Sequence, residues 1–248
     1  MQLKFNDISL DIGEVSYEDS KFSMHNETPY IEKVVKKYNT SGNYRKNLLP
    51  LKLRCLYNIK EYLGDSYVGY LDLLGGIGIS AKIFNREEFI VNELDKSCVE
   101  ILEKNFPLEN VSAHDMYSFP FEPTDFIFAD FNNLTIKRMV GEYKPVLDKV
   151  FANSKKYVLL NDCSVFYLKY GPSSYKTYAT LMNTPIASSK AEFYATVRDW
   201  MHAQWPEWYL TRVESFKDTS FLLFEKEDKP LSFKVNINDG TLPDITIQ

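Results

Sequence analysis

Along residues 49–63 the apolar positions Leu49, Leu53, Leu56, Ile59 and Leu63 recur every three or four residues. They share one helical face, with Pro50 tolerated in the first turn, and Gly64-Asp65 ends the helix. The period then changes. Tyr67 to Leu74 is a nearly continuous apolar run, followed by the turn Gly75-Gly76-Ile77-Gly78, a short helix from Ile79 to about Asn85, and a strand at Phe89-Ile90-Val91-Asn92-Glu93. Next come a helix over Lys96 to Phe106, a short strand at Val111-Ser112-Ala113, an apolar strand at Phe126 to Ala129, a helix over Lys144 to Asn153 and a strand at Tyr157 to Leu160. Short apolar strands separated by helices predict a parallel sheet covered on both faces. After a helix over Ala191 to Trp205, the strands Trp208 to Phe216 and Ser220 to Lys226 are joined only by a turn, which forces an antiparallel hairpin. The expected fold class is therefore α/β: a mostly parallel seven-stranded sheet with a C-terminal antiparallel hairpin. Residues 1–46 are more polar and read as an N-terminal extension, with short strands at Leu3 to Phe5 and Ile8 to Leu10 and a helix near Ile31 to Tyr38. The main domain spans residues 47–228, and residues 229–248 hold a strand at Leu231 to Ile237 and a tail.

The predicted strands end in acids: Asp72 before the glycine turn, Glu93, Asp115 and Asp130. An acid before a glycine-rich turn, with another about 20 residues on, is how an α/β sheet grips an adenosine cofactor.

The run Leu71-Asp72-Leu73-Leu74-Gly75-Gly76-Ile77-Gly78 resembles the first motif of the class I S-adenosylmethionine (SAM)-dependent methyltransferases, in the form frequent among nucleic-acid methyltransferases. The resemblance extends over roughly residues 47–226. It implies a Rossmann-like fold, SAM as cofactor and methyl transfer to a DNA or RNA base. Gly76 and Gly78 fall on the positions where a Cβ would collide with the methionine part of the cofactor, and Asp72 is the partner of that part. Glu93 matches the acid that accepts from both ribose hydroxyls. Asp115 matches the acceptor for the adenine amino group, with Met116 packing on the ring.

In amino-methylating members the fourth strand leads into Asp/Asn-Pro-Pro-aromatic, which holds the target amine and stacks on the flipped base. Here the strand leads into Asp130-Phe131-Asn132-Asn133. Asp130 matches the first position, as a substrate contact. The prolines are absent, and Phe131 would supply a stacking ring from a different place. Pyrimidine C5-methyltransferases place a nucleophilic cysteine near the end of the fifth strand, and Cys163-Ser164 looks similar to part of that motif. Against this, Asp162 would raise the thiol pKa, and a small packing residue is the alternative. The polar, aromatic stretch Lys169 to Lys176 would form a loop over the site, and Trp200, Trp205 and Trp208 read as core.

Composition adds a partner. Net charge is −5, but residues 31–60 carry eight cations and one acid, so this segment is +7. Within it and just before the first helix, Lys36, Lys37, Tyr44, Arg45 and Lys46 combine cations with an aromatic ring, as nucleic-acid-binding surfaces do; a solvated helical face is the plainer reading. No apolar run approaches ~20 residues, so no membrane span is expected. Three widely spaced cysteines and three unclustered histidines form no metal pattern and suit a reducing cytoplasm. The short segments flanking the main domain leave room for an accessory protein subunit. Two rival functions stand beside nucleic-acid methylation: methyl transfer to a protein or small molecule, with the N-terminal segment as a lid, and a non-catalytic protein that uses the same fold for binding or assembly.

Overall fold

The computed structural model describes residues 2–5, 8–11, 49–131, 134–164, 178–217, 219–227 and 232–238. The expected helix near Ile31 to Tyr38, the cluster Lys36, Lys37, Tyr44, Arg45 and Lys46, the pair Asn132-Asn133 and the loop Lys169 to Lys176 lie outside these residues.

The chain begins with a two-stranded hairpin, β1 (Gln2–Phe5) and β2 (Ile8–Asp11). Helix α1 (Leu49–Leu63) leads into β3 (Gly69–Asp72), α2 (Ile79–Phe84), β4 (Glu88–Asn92), α3 (Lys96–Asn105), β5 (Val111–Ser112) and β6 (Thr124–Ala129). Then follow α4 (Ile136–Met139), α5 (Lys144–Asn153), β7 (Ser154–Asp162), α6 (Lys190–Gln204), β8 (Trp208–Phe216), β9 (Thr219–Lys226) and β10 (Lys234–Ile237). The main sheet has the order β10-β8-β9-β7-β6-β3-β4-β5. Strand β9 runs antiparallel to both of its neighbours, and every other pairing is parallel. The sheet thus has eight strands where seven were expected, because β10 pairs with the outer edge of β8.

Period-two alternation divides the core. Tyr70, Phe126, Phe128, Leu159, Phe221 and Leu223 face α1, α2 and α3. Leu71, Ile127, Ala129, Val158, Leu160, Leu222 and Phe224 face α4, α5 and α6. The N-terminal hairpin belongs to the first layer, for Ile8 and Leu10 are buried in it. Asn105 at the end of α3 clamps the hairpin by accepting from the Asp11 N–H (2.7 Å) and donating to its carbonyl (2.8 Å). Helix α1 docks on the hairpin of β8 and β9 through polar contacts at its far end. Asn58 donates to Glu214 (3.0 Å), Tyr62 donates to Glu225 (2.7 Å), and the Arg212 guanidinium lies 4.5 Å from the centre of the Tyr62 ring. Among the described residues, no helix is long and apolar enough to cross a membrane.

Candidate active site

Because β3 to β7 are parallel, their carboxyl ends share one edge of the sheet. The strand order reverses direction there, between β3 and its neighbours β4 and β6, which is where open α/β sheets bind ligands. The turn Gly75-Gly76-Ile77-Gly78 occupies this point.

Each glycine in the turn meets a different demand. Gly78 has φ +89°, and a Cβ there would lie 2.5 Å from the Phe106 ring. Gly76 has φ +53° with no atom within 4 Å of its Cβ direction, so the turn is open above it. Gly75 packs against β4, where a Cβ would come within 2.3 Å of Val91 Cγ2, and its N–H donates to the Asn92 carbonyl (2.9 Å). Gly76 and Gly78 were singled out in the sequence; the close approach of Gly75 depends on a side chain 16 positions away and has no local mark.

Asp72, the last residue of β3, is fully buried. Its Oδ2 accepts from the Ser80 hydroxyl at 2.5 Å, while Oδ1 is buried and accepts no hydrogen bond among the described residues. Burial pushes its carboxyl up to about 7; the Ser80 hydroxyl, the neighbouring Tyr70 hydroxyl and the Lys52 cation pull it down, and Asp130 pushes it up. A cation delivered to this edge would offset the buried charge.

Glu93 follows β4 and already braces the site. Its Oε2 accepts from the Gly76 N–H (2.9 Å), and its Oε1 accepts from the Leu94 and Asp95 N–H groups (2.7 and 3.0 Å). Oε1 thereby has both lone pairs engaged, and Oε2 keeps one for a ligand hydroxyl. Asp115, exposed in the loop after β5, accepts from the Tyr117 N–H through Oδ1 (2.7 Å). Met116 packs partly buried against the second core layer.

A residue that sequence reasoning passed over ties these parts together. Asn92 is fully buried; it donates to the Leu73 carbonyl (3.1 Å) and the His114 carbonyl (3.0 Å), and accepts from the His114 N–H (3.0 Å). It thereby fixes the Asp115 loop to the ends of β3 and β4. Its one trace in the sequence is a polar amide inside an apolar strand.

The fourth-strand residues separate. Asp130 continues the alternation toward α1, where it meets Lys52 Nζ at 2.5 Å, with about a fifth of each side chain exposed. Lys52, counted in the basic segment, is therefore turned into the site. Phe131 points to the opposite layer. It is 2% exposed, its ring lies 4.8 Å from that of Tyr143, and its carbonyl accepts from Asn161. The expectation that Phe131 stacks on a substrate base is corrected: strand alternation sends consecutive residues to opposite faces, and this ring is core.

Cys163 is also corrected. It is half-buried, and its thiol is pushed up to about 11, first by burial and then by the neighbouring Asp162 charge, which disfavours the thiolate a nucleophile needs. Asp162 itself belongs to a buried structural network. It accepts from the Ser164 N–H and hydroxyl (3.0 and 2.6 Å) and from the Tyr194 hydroxyl (2.7 Å), and Ser164 accepts from the Ile136 N–H (2.9 Å). Burial pushes Asp162 up to about 6. The network pins the segments after β6 and β7 against α6.

No protein-family profile and no curated protein matches the sequence. Solved structures do match. Magnesium protoporphyrin IX methyltransferase of Synechocystis PCC 6803 with bound SAM superposes with a TM-score of 0.53 at 10% identity, over 79% of this chain and 91% of that one. The same enzyme with bound S-adenosylhomocysteine (SAH) gives 0.52 at 9% identity, over 79% and 94%. At such identity the likeness concerns architecture, and together with the strand order it establishes that this chain has the Rossmann-like fold of the class I methyltransferases.

Proposed function

We propose that this protein is an enzyme that transfers a methyl group from SAM to a base of DNA or RNA. The observation that carries the cofactor assignment is Glu93 bound to the Gly76 N–H of the open glycine turn, beside the buried Asp72 that ends β3. The solved neighbours, which hold SAM or SAH, support it. SAM supplies an electrophilic methyl group on a sulfonium and needs no metal to activate it.

The chain's own residues bind and align. Glu93 accepts from a ribose hydroxyl through the remaining lone pair of Oε2, and Asp115 accepts from the adenine amino group. Leu94, 41% exposed beside Glu93, and Met116 give the adenine ring apolar contact. Asp72 faces the positively charged methionine end, which Gly76 leaves room to approach. Asp130, the partly exposed carboxylate across the turn, holds an acceptor N–H so that nitrogen, methyl carbon and sulfur come into line. The basic residues Lys36, Lys37, Arg45 and Lys46 with Tyr44 would hold the nucleic-acid strand. A small-molecule acceptor is the second reading. Burial of Phe131 favours it, since that residue presents no stacking ring, and the neighbouring enzyme is named for a porphyrin substrate.

Calorimetric titration of SAM and SAH into the wild type and a Glu93→Ala variant tests the cofactor assignment. The expected result is binding by the wild type, weakened at least ~10-fold in the variant by loss of charge-assisted hydrogen bonds; a wild type that binds neither overturns it. Tritiated methyl from SAM, offered to DNA, RNA, protein and small-molecule pools, tests the acceptor. Label confined to the small-molecule pool would overturn the nucleic-acid reading, and label in DNA or RNA that disappears on charge reversal at Lys36, Lys37, Arg45 and Lys46 would support it.

A further inference from the structure

The reactive edge holds three charged side chains that touch or sense one another. Asp72 ends β3, Asp130 follows β6, and Lys52 reaches over from the first turns of α1. Lys52 Nζ is 2.5 Å from Asp130 Oδ2 and 5.9 Å from the centre of the Phe221 ring. Both Lys52 and Asp130 act on the Asp72 carboxyl, in opposite directions, and both also act on Cys163 at the end of β7. The pair therefore sits over the three central strand ends.

The cofactor must lie across this edge in one sense. Glu93 and Asp115 stand on the β4 and β5 side of the glycine turn, and Asp130 stands on the β6 side. With the nucleoside toward β4 and β5, the methionine end and its sulfonium fall toward Asp72, Asp130 and Lys52. SAM and SAH share every group there except the methyl and the positive charge it brings. An unpaired Asp130 would draw the sulfonium strongly. An ion pair presents a small net field, because Lys52 offsets the carboxylate at close range.

We propose that Lys52 sets how strongly this site distinguishes SAM from its uncharged product SAH, by neutralising Asp130 at the methyl-bearing end. This rests on the cofactor assignment above and adds a residue from a helix outside the strand-end motifs. The charge balance explains why this lysine, from a segment read in the sequence as a basic surface, is turned toward Asp130. It also has a consequence for turnover: a site that does not hold the sulfonium too tightly keeps less of the ground-state binding that transfer must overcome.

The test is calorimetric titration of SAM and of SAH into the full-length wild type, Lys52→Met, Lys52→Arg and Asp130→Asn. The readout is the ratio of the two dissociation constants. Damage to folding or to the nucleoside site affects both ligands alike and cancels in this ratio, so a merely structural role would leave it unmoved. Lys52→Met should shift the preference toward SAM by about 3- to 10-fold, as expected for a partly exposed charge near a cation. Asp130→Asn should shift it toward SAH, and Lys52→Arg should match the wild type. If Lys52→Met does not fold, Asp130→Asn carries the test with the opposite sign. Ratios that stay within about twofold of wild type in the folded variants overturn the inference. Failure of the wild type to bind either ligand overturns the cofactor assignment and this inference with it.

Discussion

At the scale of single residues, the glycine turn makes a prediction that separates packing from conformation. Gly75→Ala places a methyl group 2.3 Å from Val91 Cγ2, on a β-branched side chain that is fully buried and has no free end to move. Overpacking of this kind costs about 1–3 kcal/mol. Gly76→Ala meets no atom but must hold φ +53°, which costs about 1–2 kcal/mol for an L residue. Both variants should unfold at lower urea; only Gly76→Ala, whose new methyl projects into the open space, should also lose SAM affinity out of proportion to its stability. A second residue-scale prediction concerns Cys163. With its thiol pushed up to about 11, Cys163→Ala should keep methyl transfer to within about twofold, because a protonated thiol is a poor nucleophile; a loss of activity in a protein of unchanged melting temperature would restore the nucleophile. The strand-end acids were legible in the sequence because each closes a predicted strand, and Asp72 also precedes the glycine turn. The partners that decide their chemistry were not. Ser80 below Asp72, Lys52 against Asp130 and Val91 behind Gly75 are brought together only by the folded sheet. Phe131 could have been assigned to the core by carrying the strand's alternation one residue past its end.

At the scale of elements, helical and strand periods located nearly every unit within a residue or two, since each buries a face against the sheet and must repeat accordingly. Two features escaped. Helix α4 spans only Ile136–Met139, too short to show a period. Strand β10 pairs with β8, a choice governed by long-range register rather than by its own residues. The joins between elements depend on buried polar side chains, and Asn92 is the clearest. Asn92→Ala would strip partners from the Leu73 carbonyl and from both backbone groups of His114. Unsatisfied buried groups of this kind predict a loss of about 2–4 kcal/mol, measured as a lower urea midpoint. Release of the Asp115 loop predicts weakened cofactor binding in the same variant, even under conditions where it is fully folded. Unchanged SAM affinity there would mean that the loop holds its position without Asn92.

At the scale of the whole molecule, buried carboxylates couple stability and cofactor binding to pH, with opposite signs. Asp72 is raised to about 7 and Asp162 to about 6, in both cases chiefly by burial. Each binds its proton more tightly in the folded than in the unfolded chain, where it titrates near 3.8. The folded state therefore carries the extra proton between these values, and linkage makes the stability of the free protein fall as pH rises from about 4 to about 7, by up to about 7 kcal/mol from these two groups together. Above about 7 their contribution is flat. Asp72→Asn should remove its share of the slope, so its stability relative to wild type should rise across this window in urea titrations at pH 4.5, 5.5, 6.5 and 7.5. A constant difference at all four values would mean that Asp72 is ionised throughout. A bound cation reverses the preference at Asp72, because a positive charge nearby favours the ionised form. SAM binding should therefore expel a proton below pH 7, strengthen as pH rises toward 7 and level off beyond it. The proton count from calorimetry in buffers of different ionisation enthalpy should fall toward zero in Asp72→Asn. The same acid that weighs on the empty fold at neutral pH would then be the one the cofactor relieves, and that exchange gives a physical reason for burying a carboxylate at the end of β3.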